Sequence, residues 1–203
     1  MGEEMNKIQS LEFLKENEFN VMPFKVITTP NQWDEFKNIY SECAPGIVFS
    51  GRTQSKGIQT DKSFQLPFKR GMSFTELENF VYGNLVNYDV LVYQSLDPQD
   101  CVVKGNIAQL GDEIWMEFIE GPGITRDLMT EVPNSFKISI GVPIPTQDPA
   151  INEILREVYS AFLKVTDALA YQHLLKNNIV LEWGYYKEPV GMLYQKLLFW
   201  EVR

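Results

Sequence analysis

Apolar residues change spacing several times along this chain, and each change marks an element. Ile8, Leu11 and Leu14 recur at helical intervals with charged residues between them, which predicts a short amphipathic helix from Lys7 to Asn17. Val21, Val26 and Ile27 then read as a strand over Val21 to Thr29, punctuated by Pro23 and closed by Thr29-Pro30. Trp33, Phe36 and Tyr40 return to helical spacing, with Thr29 a candidate cap. Gly46 to Ser50 is a compact apolar strand, and Gly51-Arg52-Thr53-Gln54-Ser55-Lys56-Gly57 after it is expected to form a polar loop. Ser73 and Glu76 are spaced as a capping box ahead of a helix through Leu77, Phe80 and Val81.

The second half alternates with period two. Tyr88 to Leu96, Val102 to Leu110 and Ile114 to Ile119 read as strands of an antiparallel meander, with Gly111-Asp112 as a hairpin turn. Gly121-Pro122-Gly123 ends that pattern. A loop-rich crossover follows through Pro143, Pro145 and Pro149, with an edge strand expected at Phe136 to Ile140. Ile154, Leu155, Val158, Phe162, Val165 and Leu169 trace one face of the longest helix, Ile151 to Leu175. Two closing strands, Ile179 to Tyr186 and Met192 to Val202, complete an α+β chain. It is expected to be one domain of two packed lobes, roughly 1–86 and 87–203.

Composition narrows the function classes. The 203 residues carry 18 basic and 27 acidic side chains, a net charge of −9, so the overall field repels polyanions and nucleic acid is not an expected partner. The chain's hydrophobic fraction of 44% is enough for a substantial core. Cys43 and Cys101 are too few and too far apart to frame disulfides or a thiolate zinc site, which suits a reducing compartment. The acidic, polar start lacks the pattern of a secretory signal, and no apolar run approaches the ~20 residues of a membrane helix. The expectation is a cytoplasmic protein with no membrane association.

Several side chains stand out chemically. Arg52 leaves a strand between Gly51 and Thr53, the kind of place where backbone and guanidinium together favour an anion. Glu182, between Leu181 and Trp183, must face solvent, pair with a cation or bind a metal. Glu201 and Arg203 alternate onto one face of the last strand, where their bland reading is a surface ion pair. Lys7 alone reads as a solvated base at a helix start. His173, beside Leu174 and Leu175, reads as a structural helix-end residue. Gly121-Pro122-Gly123 lacks the Lys-Ser/Thr of a Walker loop.

The order of several short motifs carries a resemblance. Lys7-Ile8-Gln9-Ser10-Leu11-Glu12-Phe13-Leu14, Val21-Met22-Pro23 and Val26-Ile27-Thr28-Thr29 come first, followed by Trp33-Asp34-Glu35-Phe36. Val48-Phe49-Ser50-Gly51-Arg52-Thr53 and Val90-Leu91-Val92-Tyr93-Gln94-Ser95-Leu96 come next, then Gly105-Asn106-Ile107 and Ile114 to Gly121. Leu181-Glu182-Trp183-Gly184 and Phe199-Trp200-Glu201-Val202-Arg203 close the series. Over nearly its whole length the chain thus resembles the nucleotide-binding domain of phosphoenolpyruvate synthase and pyruvate phosphate dikinase, an ATP-grasp fold.

The resemblance implies an ATP-grasp-like α+β fold with antiparallel sheets and flanking helices, and ATP with Mg²⁺ as ligands. It places Lys7 and Arg52 on the phosphates as the catalytic cations, with Arg203 as a third. It puts Gln94 and the Leu96 backbone at the adenine edge, and Glu182 and Glu201 on the metal. It further implies a phosphotransferase working with a separately encoded phosphotransfer protein, because the family's phosphohistidine domain and pyruvate barrel have no room in 203 residues. The alternatives are a degenerate, non-catalytic ATP-grasp-like protein with a structural or interaction role, and a small-molecule kinase like the family's antibiotic-phosphorylating relatives. The chain departs from the family pattern at Met5, Asn6 and Ile8, where the family has glycines, at Val180, where it has an acid, and at Glu201, where it has Gln. Tyr185 to Val190 reads as an insertion that lengthens the final hairpin.

Overall fold

The structure, a computed structural model, describes residues 5–40, 46–56, 66–121, 133–138, 148–174 and 178–203. Gly57, Gly123, Pro143, Pro145 and Leu175 lie outside the described residues. The protein is α+β, with two antiparallel sheets and four α-helices among the described residues. It divides into two compact units, Pro23–Leu96 and a second made of Met1–Met22 with Asp97–Arg203. The opening helix, α1 (Lys7–Glu16), therefore belongs with the C-terminal half of the chain.

The unit Pro23–Leu96 is built on β1 (Phe24–Ile27), β2 (Phe49–Ser55), β3 (Phe68–Met72) and β4 (Tyr88–Gln94), in the order β1-β4-β2-β3. Helices α2 (Pro30–Tyr40) and α3 (Phe74–Asn84) contribute to a core with one face of that sheet. Ile27, Trp33, Phe36, Phe49, Met72, Leu77, Val81, Val90 and Val92 form this core, and the Trp33 ring stacks at 5.4 Å from Phe36 and 5.6 Å from Phe74. The capping box is present: Ser73 Oγ accepts from Glu76 N at 3.3 Å and Glu76 Oε2 accepts from Ser73 N at 2.9 Å. Glu76 also meets Lys69 at 3.1 Å, and these hydrogen bonds, the backbone one first, hold its carboxyl down at about 2.

Several sequence expectations fail in this unit, and the strand expected over Gly46 to Ser50 starts only at Phe49. The segment expected as a polar loop at Gly51–Gly57 continues β2 as far as Ser55, because β4 on one side and β3 on the other satisfy its backbone groups. Strand β3 itself carries no alternating apolar signal in the sequence. Tyr88 to Leu96 was expected to lead the meander, but it pairs instead between β1 and β2.

The second unit is a five-stranded sheet of β5 (Cys101–Leu110), β6 (Glu113–Glu120), β7 (Asn134–Ile138), β8 (Asn178–Val190) and β9 (Gln195–Val202), in the order β7-β6-β5-β8-β9. Helix α4 (Pro149–Tyr171) buries Ile151, Ile154, Leu155, Val158, Phe162, Val165 and Leu169, its contacts falling on β5 and β8. On β5, Cys101, Val103, Gly105 and Ile107 are buried, whereas Val102, Lys104, Asn106 and Ala108 lie half-buried on the opposite face. Helix α4 stops at Tyr171, short of the Leu175 end expected from the sequence. His173 adopts φ +57 just past the cap, and Leu174 N donates to Leu169 O at 2.8 Å. No helix among the described residues is long and apolar enough to cross a membrane.

The N-terminal segment clamps the β8–β9 hairpin. Asn6 caps α1 in a capping box with Gln9, and buried Ser10 Oγ accepts from Val202 N at 2.6 Å. Val21, expected inside a strand running to Thr29, instead forms an isolated parallel bridge to Phe199, and β1 starts only at Phe24. The residues read as an insertion, Tyr185 to Val190, extend β8 without interruption, with a register shift against β9 between Tyr185 and Val190.

Candidate functional site

In the unit containing β5 to β9, four candidate residues converge on one patch. Glu182 of β8 and Glu201 of β9 are direct cross-strand partners, and Asn106 of β5 is the partner of Glu182 on its other side. Glu117 of β6 is in turn the partner of Asn106, so one row across four strands reads Glu117, Asn106, Glu182, Glu201. Residues opposite one another point to the same face, about 4.5–5.5 Å apart at Cβ. A bulge between Glu182 and Trp183 shifts the β8–β9 register, so that Trp183 pairs with Phe199.

Glu182 and Glu201 each hold a cation. Lys7 Nζ, carried across by α1, meets Glu201 Oε2 at 2.9 Å and also donates to the Trp200 carbonyl oxygen; both charged side chains are 13% exposed. Arg203 meets Glu182 Oε1 at 2.9 Å in a more open setting. The bland reading of Glu201 and Arg203 as partners of one another is therefore replaced by two pairs, each across elements. Between Glu117 and Glu182, the Asn106 Oδ1 atom is buried without a hydrogen-bond partner. Nothing in the sequence singled out Asn106; the signal would have been a carboxamide in register with an acid on the neighbouring strand.

The donor set suits a hard cation such as Mg²⁺, which takes one or two carboxylates and leaves the rest of its shell to water and phosphate. Glu182 and Glu201 supply the carboxylates, and the orphaned Asn106 oxygen is a buried acceptor in the same row that a cation would satisfy. Among the described residues no three acidic, histidine or cysteine side chains cluster as a metal site. A cation here would thus be held by two carboxylates and an amide oxygen.

In the unit Pro23–Leu96, Arg52 lies on the sheet face opposite α2 and α3. It pairs with Leu91 of β4 and Phe68 of β3, and its guanidinium carbon is 5.9 Å from the Phe68 ring centre. Tyr93, two residues on from Leu91, shares that face. Burial pushes its phenol up, while the charges of Arg70 and Arg52 and a hydrogen bond to Ser50 pull it the other way. The Gln94 side chain does not join Arg52: it is opposite Phe49, on the alternate face with Val90 and Val92. Leu96 follows β4 at the end of this unit.

No protein-family model matches the sequence, and no curated protein matches it. Solved structures do. The N5-carboxyaminoimidazole synthetase of Staphylococcus aureus, complexed with ADP, aligns over 97% of this chain and 43% of its own, with a TM-score of 0.54 and 13% identity. The D-Ala:D-Ser ligase of Enterococcus faecalis aligns over 98% of this chain and 52% of its own, at 0.52 and 14%. A Chryseobacterium gregarium RiPP-associated ATP-grasp ligase, in complex with ADP and a leader and core peptide, aligns over 95% and 49%, at 0.51 and 8%. The chain thus spans about half the length of these structures or less, and the likeness shows its fold, that of the ATP-grasp proteins.

Proposed function

We propose that this protein binds Mg·ATP through its ATP-grasp fold and acts as a phosphotransferase of the phosphoenolpyruvate synthase type, with a separately encoded partner accepting the phosphoryl group. The observation that carries this reading is the placement of Glu182 opposite Glu201, each paired with a cation from another element, on one face of the second sheet. In this reading Arg52 neutralises phosphate charge, and the backbone at Leu96 with Gln94 reads adenine. Glu182, Glu201 and Asn106 hold the metal. Mg²⁺ held by these residues would supply positive charge to the phosphoryl oxygens. Lys7 and Arg203 are then the cations positioned to exchange a carboxylate oxygen for a phosphate oxygen. The chain's own contribution is positioning and charge neutralisation, with no covalent protein intermediate.

A second reading takes support from the structural neighbours, which are ligases by description. The same nucleotide would then activate a carboxylate acceptor, and turnover would require that acceptor instead of a phosphotransfer protein. A third keeps the fold without the nucleotide: each carboxylate already holds a cation, and Val180 stands where the resembling family carries an acid. Isothermal titration separates binding from non-binding. Micromolar Mg·ATP affinity that is abolished by Arg52→Ala and by Glu182→Gln supports nucleotide binding, and no heat at millimolar nucleotide rejects it.

A further inference from the structure

A second arginine stands beside Arg52. Phe68 and Arg70 are two apart on β3 and point to the same face, and the Arg70 guanidinium carbon lies 5.0 Å from the Phe68 ring centre, against 5.9 Å for Arg52. Neither guanidinium pairs with a carboxylate among the described residues. Two cations sharing one ring with no carboxylate partner among the described residues are unusual where 27 acids face 18 bases, since mutual repulsion costs free energy that an ordinary surface would relieve with a nearby Asp or Glu. Phe68 is itself 42% exposed, so the ring supports the two guanidinium planes and remains open to solvent.

The backbone is built to hold Arg70 there. Phe49 pairs with Met72 and Gly51 with Lys69, so Arg70 and Gly71 together oppose Ser50 as a bulge, with Gly71 at φ +64. The extra residue lets Lys69 reach Glu76 and Met72 enter the core on one face, while Arg70 joins Phe68 and Arg52 on the other. Gly71 N donates to Ser95 Oγ at 3.1 Å, and Ser95 Oγ is 2.6 Å from buried Ser50 Oγ. A bulge pinned by Ser95, just past the end of β4, fixes the side chain it re-aims.

We propose that Arg70 is a second polyphosphate-binding residue, acting with Arg52 as a guanidinium pair supported on Phe68. Two planar forks on one face match the spread oxygens of adjacent phosphates, where a single arginine matches only one. The inference deepens the nucleotide reading, on which its choice of ATP as the polyphosphate rests; the anion chemistry itself is shared with inorganic polyphosphate.

The test titrates wild type, Arg70→Ala and Arg70→Lys with Mg·ATP, adenosine and inorganic tripolyphosphate. Loss of one charge-assisted contact predicts about tenfold weaker Mg·ATP binding by Arg70→Ala. Partial recovery is expected in Arg70→Lys, with adenosine binding unchanged. Arg70 is exposed, so its variants are expected to unfold at the wild-type temperature, which separates lost binding from lost folding. Mg·ATP binding by Arg70→Ala within twofold of wild type overturns the proposal, as does an equal loss of adenosine. If wild type binds no ATP, the nucleotide reading fails on its own. Tripolyphosphate then decides the pair: binding that Arg70→Ala weakens upholds it, and no binding overturns it.

Discussion

Asn20 offers the sharpest test of how the carboxylate patch is assembled. It is 1% exposed, and its Nδ2 donates to the carbonyl oxygens of Val190 at 2.9 Å, Gln195 at 3.2 Å and Leu197 at 2.7 Å, while its Oδ1 accepts from Leu193 N at 2.9 Å. One side chain thus satisfies four backbone groups around the turn between β8 and β9. Gly191 sits so close, at φ +79, that an added Cβ would lie 2.5 Å from Asn20 Oδ1. Asn20→Ala removes these bonds and takes the side-chain donor from one buried and two part-buried carbonyls. At about 1 kcal/mol for each well-made bond, the loss comes to about 3 kcal/mol, or a fall of about 6–12 °C in unfolding temperature for a chain of this length. Asn20→Asp should cost more, because a carboxylate would face three carbonyl oxygens without a proton to donate. The assay is thermal unfolding with amide exchange at Leu193. The reasoning also predicts weaker control of β8–β9 register, and a one-residue slip would turn Glu201 away from Glu182. A drop below 2 °C with unchanged Leu193 protection would refute it.

Other outcomes follow from local geometry. Glu18 and His173 hold φ +61 and +57 just past the ends of α1 and α4, so Glu18→Gly and His173→Gly should each stabilise the protein by about 0.5–1 kcal/mol, read as a higher urea midpoint. Destabilisation of His173→Gly would instead assign that side chain a role beyond the helix end. Glu76 is held at about 2 against an ordinary 4.5, so the unfolded chain binds its proton first as pH falls. Its contribution is complete above about 4.5 and disappears through about 2. The urea midpoints of wild type and Glu76→Gln should therefore differ at neutral pH and converge towards pH 2. A constant difference across that range would contradict the assignment.

Where the sequence was legible, local physics governed. The capping box at Ser73 and Glu76, the apolar stripe of α4 and the Gly111-Asp112 hairpin all depend on residues close in sequence, and all appear where their patterns put them. Arg52 was picked out as a cation leaving a strand, yet it lies within one: the ladder partners Leu91 and Phe68 are remote in sequence, and Gly51 gave the segment the look of a loop. Strand β3 was invisible because Lys69, Arg70 and Gly71 interrupt any alternation, and its bulge breaks the period on which such readings depend. The acids at 182 and 201 were legible as candidates, but their cationic partners were not. Pairing Lys7 with Glu201 spans almost the entire chain, and only the docking of α1 onto β9 creates it. Asn106 was missed for the same reason, since its significance arises from the register of β5 against β8.

The central claim is that this chain takes hold of a metal-bound triphosphate, and phosphorus NMR observes that group directly. With ATP and Mg²⁺ in excess over the protein, all three phosphorus resonances should broaden in wild type, and the effect should disappear in Arg52→Ala and when EDTA removes the metal. Three sharp, unshifted resonances at millimolar nucleotide, with the protein folded, would contradict the account.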